Sequence, residues 1–371
     1  MKSQQRGEFL RKILDQVRNN NYPYDGREKP ETDWSNYDAA QCREIVDVIN
    51  MIREVVDEAA SRIASRKLPE PSGPGRPPNE PADVVKVLML QSYFGVPNRP
   101  AEGLLILFSD RLGLRNSFSY KTIERGYDRQ GVDELLDEIF RLTNEQIDGF
   151  ETTFSVDGSG SSASNKQNYR QSRQNQRNKN SSKSEPGEWP KEACSGMKDY
   201  QYHLAIIGVH TKMFAAWVTN SDHRKSEHSL FPDAMKMAIT NQPSMKMLLG
   251  DGVFAGRPQC NIVDSYGVEP VFLPRRNVTF HSMWSRSWPK MLGKILRDTQ
   301  RFLSEYHMRS ISETGFSMIE SENPQPLRKR LDARKGTEDY LRGICHNIKR
   351  LCYLRYLWEL VVDFRRTRPV G

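Results

Sequence analysis

The period of the apolar residues first changes near residue 150, and that change bounds the fold. Upstream, Ile45, Ile49, Ile52, Val56, Ala59 and Ile63 recur at three- and four-residue steps, the spacing that lines one face of a helix. Downstream, short runs rich in β-branched and aromatic residues read as strands: 153–156, 202–209, 213–218, 245–249 and 268–273. A helical pattern at 227–240 separates the middle runs, and long helical patterns resume near Lys290. The order predicts a mixed α/β sheet with flanking helices, preceded by an all-helical N-terminal region.

Punctuation divides the chain further. Residues 1–68 read as a polar arm to about residue 35 and then a long amphipathic helix from Asp38 to about Ser65. Residues 69–81 hold six prolines and two glycines, so no helix crosses them and they read as a linker. Residues 82–150 read as four short helices with tight turns, a helix-turn-helix-like DNA-binding module. In it Ser119 caps a helix that presents Lys121 and Arg125 to phosphates. Residues 151–360 form the α/β domain and 361–371 a basic tail. The run Asp157-Gly158-Ser159-Gly160 reads as the abrupt end of the first strand, opening a basic loop over 158–199 that includes Arg170 and Arg173.

Composition narrows the partners. The 55 Lys+Arg outnumber the 47 Asp+Glu to give +8, which favours polyanions. No apolar run reaches the roughly 18 residues of a membrane span, and the N-terminus has no secretory core segment, so a cytoplasmic protein without membrane contact is expected. The five cysteines are scattered with no C-x-x-C pair, and read as reduced and structural.

Two strands end in an aspartate beside glycine, Val156-Asp157-Gly158 and Leu249-Gly250-Asp251-Gly252. Small neighbours let the backbone turn away and leave the carboxylates at the sheet edge where α/β folds place ligands. If the strands are parallel neighbours the two carboxylates converge, and paired carboxylates repel unless a cation sits between them; hard oxygen ligands select Mg²⁺ or Mn²⁺. Tyr306, Arg309 and Glu313 stand at steps of three and four, so they share one helix face.

Asp157, Asp251 and Tyr306-x2-Arg309-x3-Glu313, in this order on these elements, resemble the DDE signature of insertion-sequence transposases with an RNase H-like catalytic domain. Upstream, Gly75-Arg76-Pro77-Pro78, Leu88-Met89-Leu90-Gln91-Ser92-Tyr93-Phe94-Gly95 and Ser119-Tyr120-Lys121-Thr122-Ile123 are similar to the N-terminal region of that family. The resemblance implies metal-dependent cleavage and strand transfer at double-stranded DNA ends. Two Mg²⁺ ions, replaceable by Mn²⁺, would be held by Asp157, Asp251 and Glu313, and the protein would act as a homodimer on DNA. It also implies DNA contacts from Tyr306 and Arg309, and the basic stretch that begins at Arg275 and Arg276 is suited to the DNA backbone. The sequence departs from the family where a lysine is common seven residues past the glutamate: Glu320 stands there, so either a neighbour such as Arg328, Lys329 or Arg330 supplies that contact or the interaction with the DNA end is altered. A phosphatase of the haloacid dehalogenase type needs an aspartate two residues after the first, where this chain has Ser159, and no Walker phosphate loop occurs. The competing non-enzyme reading is a decayed or domesticated transposase that binds DNA without cutting it.

Overall fold

Strands β1 (Thr153–Ser162), β2 (Tyr200–Gly208), β3 (Phe214–Asn220), β4 (Met247–Gly250) and β5 (Glu269–Phe272) form one mixed sheet in the order β3-β2-β1-β4-β5. The first three are antiparallel neighbours, and β4 and β5 continue the sheet parallel to β1. In this computed structural model the described residues are 3–19, 21–23, 31–66, 79–163, 200–220 and 226–365. No helix among them is long and apolar enough to cross a membrane.

Pleating sends alternate side chains of β2 to opposite faces, and each face has its own core. Ala205 and Ile207, with Phe214 and Trp217 of β3, meet a helical layer. That layer consists of α2 (Trp34–Ala64), α3 (Pro81–Phe94), α4 (Asn98–Leu112), α5 (Tyr120–Gly126), α6 (Val132–Glu145) and the C-terminal α12 (Asp332–Leu357). Phe154, Val156, Leu204 and Ile206 face the other way. There they pack among α1 (Ser3–Arg18), α7 (Glu227–Asn241), α8 (Arg257–Ser265), α9 (Ser287–Arg297) and α10 (Thr299–Tyr306). The helical-layer core runs without a break from Val48 through residue 150 to Phe364, because α12 is wrapped by α2, α3, α6 and the sheet. Asn347 on α12 completes the seam: its side chain accepts from the Phe214 N–H and donates to the Phe214 carbonyl, each at 2.8 Å.

The structure corrects four expectations. The polar arm contains helix α1, because Leu10, Ile13 and Leu14 recur at helical spacing and are buried against the sheet's second core. Strand β1 does not stop at Asp157. It continues to Ser162 because β2 stays alongside as an antiparallel partner, with Gly158 opposite Leu204 and Gly160 opposite Tyr202. The loop expected from residue 158 is therefore strand to Ser162, with Ala163 bridged to Leu327; Arg170 and Arg173 lie outside the described residues. Helix α8 was not anticipated between β4 and β5, where Pro258 interrupts the apolar pattern yet sits in the first helical turn, a position proline tolerates.

Candidate functional site

Strand β4 ends one residue before Asp251, and its last pair with β1 is Val156 to Gly250. Asp157 is the next residue on β1. Beyond it β1 has only β2 beside it, so Asp157 and Asp251 occupy the same step in the sheet edge on adjacent parallel strands. Gly250 permits this closeness: a Cβ there would stand 2.9 Å from Phe272 and 3.0 Å from Val156. Asp251 accepts a 2.8 Å bond from the Val253 N–H, which closes the turn after β4.

The helix α11 (Ile311–Glu322) brings the third acid. Ser312 donates to Asp157 Oδ2 at 3.1 Å, and the Arg309 carbonyl accepts from Ser155 of β1 at 3.2 Å and from Ser312 at 2.9 Å. Gly315 lets the helix lie directly on β2; a Cβ at that position would be 2.2 Å from Ile207 Cδ1. Tyr306, Arg309 and Glu313 are not on one uninterrupted α-helix, since a 3-10 turn (His307–Ser310) joins α10 to α11. Their side chains still form a row: Arg309 Nε donates to Tyr306 Oη at 3.1 Å, and Arg309 Nη1 lies 3.5 Å from Glu313 Oε1. Tyr306 is 8% exposed and stacked on Phe302, with ring centroids 6.2 Å apart. Arg309 meets it both at the hydroxyl and over the ring, its Cζ 5.6 Å from the centroid. Glu313 is exposed and borders a groove of about 800 Å³.

Electrostatics follow from this crowding. Burial pushes the Asp157 carboxyl above the usual range; Ser312 and the Gly158 N–H oppose that, and the Asp251 charge reinforces it. Burial works against the Arg309 charge as well, but Tyr306, Glu313 and Asp251 outweigh it and keep the guanidinium firmly protonated. Among the described residues no three acidic, histidine or cysteine side chains stand close enough, as placed, to hold an ion. The edge carries two carboxylates on adjoining strands, and α11, bonded to one of them through Ser312, carries the exposed carboxylate of Glu313.

Sequence reasoning missed three neighbours. Glu227, the first residue of α7, places its carboxylate on Gly158, whose missing Cβ would fall 2.4 Å from Glu227 Oε1. Ser312 ties α11 to Asp157. Arg18 at the end of α1 donates to the Pro274 carbonyl at 2.8 Å and lies beside Gly252. A glutamate in a first helical turn and a serine beside an acid are ordinary in sequence, so only topology marks the first two. Arg18 carried a signal in the helical spacing of Leu10, Ile13 and Leu14.

Of the basic residues singled out, Lys121 and Arg125 are exposed on α5, which buries Ile123 and Gly126 on its other side. Arg275 and Arg276 are exposed after β5, and Arg276 Nε is 3.4 Å from Asp15 of α1. Glu320 is exposed on α11, bordering a cavity of about 420 Å³ with Ser159, Ser161, His203 and Arg342. Lys329 cannot stand in for the absent lysine, because it is 3% exposed, bonded to Glu124 and Asn98, and sits 4.0 Å from the Tyr127 ring centroid. Arg328 is engaged with the Gly95 carbonyl and Gln325, which leaves exposed Arg330.

No protein-family model matches the chain. It is 27% identical over 356 residues to the protein named "Probable transposase for insertion sequence element ISA1214" from Archaeoglobus fulgidus. The alignment covers 92% of this chain and 95% of that protein.

Proposed function

The chain is a homologue of an insertion-sequence transposase along nearly all of its length, and from that premise we propose that it binds the ends of a mobile element and cuts and joins DNA at Asp157, Asp251 and Glu313. The observation that carries the proposal is the shared sheet edge: Asp157 and Asp251 on adjacent parallel strands, with the helix bearing Glu313 bonded to Asp157 through Ser312. An antiparallel trio continued by two parallel strands also supports the RNase H-like reading.

Divalent ions, Mg²⁺ or Mn²⁺, would be held by these three carboxylates, and when bound they would supply an activated water or 3′-hydroxyl and charge neutralisation at the phosphate. The chain's own residues set the stage. Ser312 and the Gly158 N–H fix the two oxygens of Asp157 so that the carboxylate points off the sheet edge. Arg309 presents a planar fork suited to two phosphate oxygens. Tyr306 holds that fork at Nε, and in our reading it positions Arg309 while its hydroxyl reaches the backbone of the bound end. Lys121, Arg125, Arg275 and Arg276 follow the DNA backbone, a contribution independent of sequence and sensitive to salt. Holding two ends together calls for two copies of the chain on DNA.

A labelled end fragment incubated with Mg²⁺ or Mn²⁺ tests the reading, with a gel shift on the same DNA. The proposal expects nicking by the wild-type protein and binding without nicking by Asp157→Asn. A protein that binds the end specifically and never cuts it would instead be the non-enzyme binder.

A further inference from the structure

Helix α1 ends at the acidic edge. Leu10, Ile13 and Leu14 seat it in the core that also holds Phe154, Val156 and Leu249. Exposed Arg276, in the segment after β5, fastens its last turns: Nε lies 3.4 Å from Asp15, and Nη2 donates to Asn19 at 3.0 Å. This docking delivers Arg18. Its Nη2 donates to the Pro274 carbonyl at 2.8 Å, and a Cβ on Gly252, the residue after Asp251, would stand 3.5 Å from the same nitrogen. The charge of Arg18 also reaches the Tyr306 hydroxyl, where it acts with that of Arg309 against the rise that burial and Asp251 impose. A basic residue in the last turn of a helix ordinarily serves the helix dipole, and a cation anywhere on that turn would do so. The dipole therefore does not explain why the guanidinium is laid against the turn that carries Asp251. The bond to Pro274 uses one of the five N–H donors of an arginine, the side chain is exposed, and among the described residues it pairs with no carboxylate.

We propose that Arg18 binds a phosphate of the DNA strand at the acidic edge, together with Arg309, and that α1 is thereby part of the site. The proposal rests on the site reading above. A phosphodiester that approaches Asp157, Asp251 and Glu313 meets like charge, and guanidinium groups offset that repulsion with charge-assisted hydrogen bonds to its oxygens. Arg309 enters from the turn before α11 and Arg18 from α1, so the two cations reach the edge from separate parts of the chain.

The test is the salt dependence of binding to a duplex that carries the element end, measured on full-length wild type, Arg18→Gln and Arg18→Lys, with nicking of the same duplex in Mg²⁺ run alongside and Asp157→Asn as a further variant. Arg18→Gln keeps a donor for Pro274 and loses the charge. Each phosphate contact adds about 0.9 to the slope of log affinity against log salt, so the slope of Arg18→Gln should be shallower by about 0.9 and its binding deficit at about 50 mM salt should shrink about three- to fourfold by about 200 mM. Its nicking rate on saturating DNA should fall about tenfold, the scale of one hydrogen bond to a charged group. Arg18→Lys retains the charge and should retain the slope. A wild-type slope in Arg18→Gln would overturn the phosphate contact and make Arg18 a strut for α1, whatever that variant's nicking rate or melting temperature. Nicking by Asp157→Asn at the wild-type rate would overturn the site reading instead, and the slope, measured on binding alone, would still decide Arg18.

Discussion

Asp157 is where the proposed chemistry and the stability of this chain meet. Burial raises its carboxyl above the unfolded range, and the charge of Asp251 adds to the rise. A folded-state carboxyl that is raised binds its proton more tightly than the unfolded chain does, so stability falls as pH climbs from about 4, the ordinary aspartate range, through the raised value. Asp157→Asn removes that loss. In metal-free buffer the variant should therefore melt above wild type at pH 7, with the gap closing toward pH 4; thermal melts across this range check it, and a gap that widened on acidification would contradict the placement. Arg309→Ala should act differently, weakening both end binding and the rate, because the proposed partner of its fork is a phosphate. Tyr306→Phe keeps the stack on Phe302 and removes only the bond to Arg309. It should lower the rate by about tenfold while leaving the melting temperature within a few degrees, since one such bond is worth roughly 0.5–1.5 kcal/mol.

Helix α11 carries Glu313, and its seating on the sheet sets where that carboxylate stands. Gly315 is the contact point, and a methyl group there would overlap Ile207 Cδ1. Gly315→Ala should cost about 1–3 kcal/mol as an overpacking substitution and reduce cleavage beyond its effect on stability. Ile207→Val, which deletes the offending methyl, should restore much of both; a double variant no better than Gly315→Ala would mean that α11 is held some other way. Much at this scale was legible beforehand. The hairpin of β2 and β3, the helix from Glu227 and the strand before Asp251 all follow from apolar runs bounded by turn residues. Strand β1 reads short in the sequence because Gly158, Ser159 and Gly160 look like a turn, whereas its length is fixed by β2, whose partners lie 38 to 54 positions away. The same limit hid Glu227: its neighbour Gly158 is set by topology and has no local signature. Asp157 and Asp251 could be read because each follows its own apolar strand directly.

As a whole the molecule is joined by α12, whose buried face links α2, α3 and α6 to the sheet. Helix α5 is bound to the same C-terminal region through Arg334 and Lys329, which pair with Glu124 and Asp128. One cooperative melting transition is expected, and two resolved transitions would show the helical layer and the sheet unfolding separately. Binding to end DNA should weaken steeply between about 50 and 200 mM salt as Lys121, Arg125, Arg275 and Arg276 lose their phosphate contacts; a flat salt response would remove them from the interface. The central claim is that the acids at the sheet edge cut DNA, and strand nicking of a labelled element end in Mg²⁺ by wild type and Asp157→Asn, each shown to bind that end equally, tests it most directly. The account predicts nicking by wild type and none by the variant; nicking by Asp157→Asn at the wild-type rate would contradict it.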